Sequence, residues 1–214
     1  MTENTTLADR TISAVRDFFN TQTKHKPTED TYEALSDIAK TLEAMVYDNA
    51  KPMTYLSSLD PGSGKTVTIT QFIKCLLERS IYEPNLTNVG VIIILSRLEE
   101  ITAMVKAMDL QQDQYACITS KDDINALGLG SSNSNKAQVL FTTQQRLSLQ
   151  LKDKSFGNAE GYYFNGRVRS VRIWDETYLP GEGISISGHN ILELSPISSR
   201  FGETALGDAL KALS

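Results

Sequence analysis

The sequence predicts an α/β fold: a doubly wound, mostly parallel sheet of at least five strands, with helices on both faces and two further helices at the N-terminus. Strand-like and helix-like stretches alternate along the chain after residue 52. Residues 91–95 form an unbroken aliphatic run, typical of a central parallel strand that is covered on both faces. Before this alternation, apolar residues recur at helical spacing in 7–19 and again in 31–47.

The first two predicted helices lie within residues 1–50. Pro27 falls between them, where it suits a turn or the first position of the second helix. We expect residues 1–50 to form a helical extension that packs on the core and braces one face of the sheet; a partner-binding arm is the alternative interpretation. Residues 51–214 would then form the main domain.

The main domain is predicted to alternate strands and helices. Strands are predicted at 53–59, 89–95, 115–119, 139–142 and 171–174. Helices are predicted at 65–79, 97–108 and 144–151. Residues 152–169 follow neither periodicity but carry three glycines and four aromatic side chains, and we interpret them as a loop or hairpin insertion.

Composition and charge limit the classes of protein that the chain can represent. Hydrophobic residues make up 40% and charged residues 22% of the 214 positions, which excludes wholesale disorder and suits one sizeable core. The formal net charge of −5 excludes a basic field over the whole surface, so nucleic acid would have to bind a local patch. No signal peptide or long apolar run is present, and we expect a cytoplasmic protein with no membrane partner.

The turn before the third predicted helix has the residues of a phosphate-binding loop. Glycines let backbone amides approach phosphates, the Lys65 side chain reaches the β and γ oxygens, and the Thr66 hydroxyl suits magnesium. We expect the loop to follow a buried strand at 53–59, although Leu59 stands where the pattern G-x-x-x-x-G-K-[ST] has its first glycine. The predicted nucleotide-binding residues are Asp60, Pro61, Gly62, Ser63, Gly64, Lys65 and Thr66.

Two acidic residues end the last predicted strand. Asp175 would lie beside the magnesium ion with Thr66, and Glu176 would orient or deprotonate the attacking water as the catalytic base. Lys65 is the second predicted catalytic residue, through its contact with the transferred phosphate. The loop and the acidic pair together predict ATP and Mg²⁺ as cofactors, whereas a solvated turn is the alternative interpretation of the pair alone.

The order of four segments resembles the first RecA-like lobe of superfamily 1 and superfamily 2 helicases, the DEAD-like ATPases of the P-loop NTPase superfamily. Residues 60–66 resemble motif I, and 92–98 resemble motif Ia, which contacts the nucleic-acid backbone in that family. Residues 139–147 are similar to a strand and threonine pair that lead into another strand-contacting motif. Residues 175–178 stand where the family has its D-E-x-x box. The resemblance implies a RecA-like ATPase domain in 51–214.

The resemblance also implies a function. It implies an ATP-binding and ATP-hydrolysing N-terminal lobe of a helicase-like, nucleic-acid-dependent ATPase. In two-lobe motors the second lobe supplies an arginine to the transition state, so one lobe alone is expected to hydrolyse ATP weakly. A second RecA-like lobe downstream, or a partner protein, would supply that arginine. An AAA-type ATPase, a small-molecule kinase and a nucleotide-gated interaction domain with little turnover remain open alternatives.

Candidate contacts to DNA or RNA come from the resemblance and from charge. The region 146–172 is rich in arginine and lysine with interleaved aromatic residues, which suits phosphate neutralisation and base stacking. The alternative is a solvated hairpin whose aromatic side chains pack on the core. The candidate residues are Ser96, Arg97, Thr142, Thr143, Arg146, Arg167 and Arg169.

The two cysteines, Cys75 and Cys117, fall within a predicted helix and a predicted strand. They lack the close spacing of a zinc site or a redox pair. We therefore expect two buried free thiols.

Overall fold

A computed structural model describes residues 5–24, 26–151 and 156–175. The helices in these ranges are α1 (Leu7–Gln22), α2 (Glu29–Val46), α3 (Lys65–Ser80), α4 (Leu98–Met108), α5 (Asp122–Asn125) and α6 (Gln144–Gln150). The strands are β1 (Val91–Leu95), β2 (Tyr115–Ile118), β3 (Val139–Thr143) and β4 (Val171–Trp174). Short 3-10 turns occur at Pro84–Asn88, Ser131–Lys136, Phe156–Asn158 and Glu160–Tyr162. Among the described residues, none of the helices combines the length and the apolar character that crossing a membrane requires.

The four strands form one parallel sheet in the order β2-β3-β1-β4. Ile93 of β1 lies between Phe141 of β3 and Ile173 of β4. All five residues of β1 are buried, so the prediction of a central parallel strand at 91–95 is confirmed. Because the strands are parallel, their carboxyl ends lie at one edge of the sheet, where ligands of such folds bind.

Residues 53–59, predicted to be the first strand of the main domain, do not form a strand. They have no regular secondary structure, and 53–58 are exposed, with Leu56 91% exposed. Local bonds hold this segment instead, since the Lys51 amide donates to the Tyr55 hydroxyl at 3.0 Å. A strand requires a neighbour for its backbone groups, and in the described ranges none pairs with 53–59. Four strands are present in the described ranges, so the prediction of a strand at 53–59 is wrong and the predicted total of at least five strands is not reached there. The doubly wound arrangement remains a prediction.

Each face of the sheet is covered. On one face, alternate residues of β1 such as Val91 and Ile93 join a core with apolar residues of α2, α3 and α4, including Leu42 and Phe72. On the other face, Ile92 and its neighbours pack against α6 and the turn at Glu160–Tyr162. This two-sided burial explains why β1 reads as a continuous apolar run in the sequence.

The two predicted N-terminal helices are α1 and α2, and both begin at threonine caps. The Thr6 hydroxyl accepts from the Asp9 amide at 3.1 Å, and the Thr28 hydroxyl accepts from the Thr31 amide at 3.3 Å. Helix α1 packs against α2 and α3, while α2 also contacts β4. Leu7 of α1 is completely buried in the same core as the sheet.

Candidate nucleotide-binding site

The turn at the start of α3 has the backbone shape of a phosphate-binding loop. Gly62 and Gly64 have φ angles of +81° and +108°, in the left-handed region that favours glycine. The Ser63 amide donates to the Asp60 carbonyl across the turn at 3.2 Å. Gly64 is the N-cap residue of α3 and provides no side-chain cap, so the first amides of the helix lack that partner. An anion at this end would be stabilised by those amides and by the helix dipole.

The Lys65 side chain reaches back to its own loop. Its Nζ donates to the Asp60 carbonyl oxygen at 3.0 Å and also to the Leu59 carbonyl oxygen. The Ser63 Oγ atom is buried and, in the part of the chain that the structure describes, has no hydrogen-bond partner. The loop thus offers donor types that a phosphate group accepts from, namely an ammonium group, a hydroxyl group and helix amides.

The two residues predicted to hold magnesium meet in the structure. Thr66 Oγ1 donates to both carboxylate oxygens of Asp175, at 3.1 and 3.2 Å, although 109 positions separate the two residues. Thr66 lies in the first turn of α3, and Asp175 directly follows β4, where its amide donates to the Ile94 carbonyl at 3.3 Å. A hydroxyl and a carboxylate are oxygen ligands of the kind Mg²⁺ takes, with phosphate and water oxygens completing its shell. The two residues therefore fit the ion, and its binding remains a prediction.

Glu176, the predicted catalytic base, lies outside the described residues, and its role remains a prediction. Within those residues, no group of three or more His, Cys, Asp and Glu side chains is arranged to hold a metal ion. A magnesium site that works with a nucleotide does not require such a group, because phosphate and water oxygens supply most of the ligands.

Side chains of the N-terminal helices lie directly behind the loop. Gly64 is buried, and a β-carbon at this position would lie 2.8 Å from Phe19 Cζ and 3.3 Å from Leu35 Cδ1. Leu59 and Val67, on either side of the loop, pack against the same helices. Neither Phe19 nor Leu35 was among the predicted site residues. The sequence signal for them is indirect, namely a large apolar Leu59 at the first position of the loop.

The candidate nucleic-acid contacts in or just after β1 and β3 differ in how exposed their side chains are. Ser96 and Arg97 are exposed just after β1, and the Gln144 side chain donates from Nε2 to Ser96 Oγ at 3.3 Å. Thr143 is 8% exposed and caps α6 by accepting from the Arg146 amide at 3.2 Å. Thr142 is completely buried, and its hydroxyl donates to the Ile118 carbonyl at 2.7 Å. The prediction for Thr142 is therefore corrected, because its side chain joins β3 to β2 and does not reach the surface.

The other three candidate arginines also occupy different environments. Arg167 is exposed, whereas Arg146 is half-buried and its Nε has no hydrogen-bond partner among the described residues. Arg169 is completely buried, so its prediction as a nucleic-acid contact is corrected. Tyr162 and Phe164, which belong to the same cationic and aromatic region, are buried as well. For these two aromatic residues, the alternative of packing on the core is confirmed.

Arg169 instead ties the segment before β4 to the sheet. Its guanidinium donates to the carbonyl oxygens of Val91 and Gln138, at 3.1 and 2.8 Å, and to that of Ser134 at 2.8 Å. Its Nε donates to the Tyr162 carbonyl at 2.9 Å. Burial lowers the pKa of Arg169 to about 9, which leaves the side chain charged at pH 7. The planar guanidinium suits this role, because it offers five N–H donors in one fixed geometry.

Comparison with protein-family models matches residues 5–178 to the family described as type III restriction enzyme, res subunit. The match spans α1 to β4 and includes the loop and the acidic residue that Thr66 contacts. Comparisons with curated proteins and with solved structures return no match.

Proposed function

The chain belongs to the family of the type III restriction enzyme res subunit, a DEAD-like helicase N-terminal lobe of the P-loop NTPase superfamily, and we propose that it binds and hydrolyses ATP in a nucleic-acid-dependent way. The resemblance to the first RecA-like lobe of helicases is thereby confirmed. Helicase-like ATPase character follows from the family. The dependence on nucleic acid, the need for a partner and the roles of individual residues belong to the proposal.

One contact supports the proposal above all others, the bond from Thr66 Oγ1 to Asp175. It joins the first turn of α3 to the carboxyl end of β4, which is where a nucleotide-bound magnesium ion needs a hydroxyl and a carboxylate together. In the proposed site, the loop amides bind the β and γ phosphates while Lys65 releases its loop carbonyls and donates to the phosphate oxygens. Bound Mg²⁺ would neutralise the charge that develops on these oxygens. Glu176, the next residue after Asp175, would accept a proton from the attacking water.

Nucleic acid is proposed to bind along the carboxyl edge of the sheet. Ser96 and Arg97, which follow β1 at this edge, are exposed and available to a phosphate backbone. Arg167 is also exposed, but it precedes β4 and lies towards the amino ends of the strands, so it is proposed as a separate contact. Arg146 is half-buried and retains a donor without a partner in the described ranges. Completion of the hydrolytic site is proposed to need an arginine from a second RecA-like lobe or from a partner protein.

Nucleotide binding is tested by Lys65→Ala. Binding of a fluorescent ATP analogue with Mg²⁺ is expected to weaken by roughly 100-fold or more, because the ammonium group makes a charge-assisted contact with the phosphates. Lys106→Ala is the matched control, since Lys106 is an exposed lysine on α4. Equal affinities of the parent chain and Lys65→Ala would show that the loop is not the nucleotide site.

The class of activity is tested by measuring phosphate release with and without single-stranded DNA, duplex DNA and RNA. Stimulation by a nucleic acid, reduced in Arg97→Ala and Arg167→Ala, is the expected result. Transfer of the γ-phosphate to a small acceptor would identify a kinase instead. ATP binding with no turnover under any of these conditions would favour a nucleotide-gated interaction domain.

A further inference from the structure

A small apolar cluster fills the space between the N-terminal helices and the phosphate-binding loop. Its members come from both helices and from both sides of the loop, and all are apolar or aromatic. They are Ile12, Val15, Phe18, Phe19, Tyr32, Leu35, Ile38, Leu59 and Val67. The loop is therefore held at its two ends by the same cluster, because Leu59 precedes the turn and Val67 follows it.

The Phe19 ring packs closely against the loop at Gly64. A β-carbon built on Gly64 would lie 2.8 Å from Phe19 Cζ and 3.0 Å from Phe19 Cε2, closer than carbon atoms pack. Gly62 also has a left-handed backbone, yet a β-carbon there would meet nothing within 4 Å. The two glycines thus differ in one respect. Only Gly64, the N-cap residue of α3, would bring a β-carbon against the ring.

Leu59 connects the same cluster to the functional lysine. Its side chain packs in the cluster, while its carbonyl oxygen accepts a hydrogen bond from Lys65 Nζ. A glycine at this position would leave the carbonyl in place but remove the side chain that anchors it. The departure from the usual loop pattern at Leu59 is explained by this packing.

The Phe19 ring is itself held firmly. It makes edge-to-face contacts with the Phe18 and Tyr32 rings, at centroid distances of 5.7 and 6.3 Å. The Arg16 guanidinium lies 4.0 Å from the centre of the Tyr32 ring and forms a bidentate ion pair with Glu29. These contacts join α1 to α2 next to the loop, so both helices determine where the ring lies.

We infer that the α1–α2 pair forms part of the nucleotide site. Phe19 and Leu59 are positioning residues that keep the phosphate-binding loop in the conformation that binds phosphate. This role rests on the proposed function, because it concerns the affinity of that same site. The physical reason is preorganisation: a loop whose amides already converge loses less conformational freedom when a phosphate binds. Removing the ring leaves Gly64 without its support, and the left-handed turn is free to relax.

Nucleotide affinity provides the first test. In the full chain, Phe19→Ala and Leu59→Ala are expected to weaken binding of a fluorescent ATP analogue with Mg²⁺ by about 10-fold, and Phe19→Leu to recover most of that loss. The matched control is Leu42→Ala, which truncates a buried residue of α2 that packs in the sheet core and not in the loop cluster. At a temperature where circular dichroism shows every variant folded, Leu42→Ala is expected to bind within about twofold of the parent chain.

Hydrogen exchange of the nucleotide-free protein provides the second test. Peptides covering residues 59–68 are expected to exchange faster in Phe19→Ala than in the parent chain, and to be unchanged in Leu42→Ala. Unchanged exchange in Phe19→Ala, or equal losses of affinity in Phe19→Ala and Leu42→Ala, would overturn the positioning role. If the parent chain binds no ATP while the loop still exchanges faster in Phe19→Ala, the proposed function fails and the structural coupling stands.

Discussion

At the scale of single residues, two glycines in one loop make different demands on the structure. Gly62 and Gly64 both have left-handed backbones, but only Gly64 is in contact with the Phe19 ring. Gly62→Ala is expected to lower the free energy of unfolding by about 1–2 kcal/mol, the usual penalty of a left-handed alanine. Gly64→Ala is expected to lower it by about 2–4 kcal/mol, because overpacking against the ring adds to that penalty.

Urea denaturation of the two variants measures this difference. The difference is expected to shrink in a Phe19→Ala background, where space for the added methyl group exists. Equal destabilisation by Gly62→Ala and Gly64→Ala in the parent chain would contradict the contact between Gly64 and Phe19.

The two thiols lead to a prediction about pH. Cys75 and Cys117 are free and buried, as predicted, and burial raises the pKa of Cys117 from 9.0 to about 12 and also raises that of Cys75. The thiol of Cys117 therefore stays protonated in the folded protein at pH 9. Because its folded pKa lies above the unfolded value, the stability that this thiol contributes is complete below pH 9 and is lost as pH rises toward 12.

Reaction with an aromatic disulfide reagent checks this prediction. Both cysteines are expected to react slowly in the native protein between pH 7 and 9 and rapidly in denaturant, since the thiolate is the reactive form. Cys75→Ser and Cys117→Ser variants show which cysteine accounts for each kinetic phase of the reaction. A fast native phase that disappears in the Cys117→Ser variant would contradict the burial of that thiol.

At the scale of elements, the segment before β4 depends on one buried arginine. Arg169→Ala is expected to lower the free energy of unfolding by about 3 kcal/mol or more, because it leaves several buried carbonyl groups without donors. Arg169→Lys is expected to recover only part of this loss, since an ammonium group cannot match the guanidinium geometry.

The exposed Arg167 provides the matched control for Arg169, two residues away in the same segment. Arg167→Ala is expected to stay within about 0.5 kcal/mol of the parent chain. Chemical denaturation followed by circular dichroism measures all three variants. A stable Arg169→Ala protein would show that these hydrogen bonds contribute little.

A comparison of β1 with residues 53–59 shows where sequence periodicity is sufficient to predict a strand. The β1 run is apolar at every position because both sheet faces are covered, so its type and place were predictable. Residues 53–59 mix apolar and small polar side chains, which resembles a strand, but a strand forms only where another strand accepts its hydrogen bonds. That condition depends on neighbours distant in sequence, which periodicity does not report.

At the scale of the whole molecule, α1 and α2 share the core of the sheet. Leu7, Leu42 and Val46 pack with residues of α3 and β4. Each such side chain contributes about 1.5–3 kcal/mol when fully buried, against a total stability of typically about 5–15 kcal/mol. A chain that begins at residue 47 is therefore expected to lose cooperative thermal unfolding and to bind a hydrophobic dye.

Removal of residues 2–4 alone is the control for this truncation, because it precedes α1. Circular dichroism melts and dye fluorescence compare the two proteins with the parent chain. A cooperative transition at an unchanged temperature in the longer truncation would show that the N-terminal helices are dispensable for folding.

The sequence by itself determined what depends on local chemistry and on neighbouring residues: the helices and strands with clear periodicity, the loop at 60–66, and the residues Thr66 and Asp175 that the structure brings together. Only the tertiary structure decided what depends on contacts between distant segments. It buried Thr142 and Arg169, left 53–59 outside the sheet, and placed Phe19 against Gly64. The physical reason is that periodicity and loop composition depend only on residues that are close in sequence. Burial and packing depend on which distant segments come together in the core.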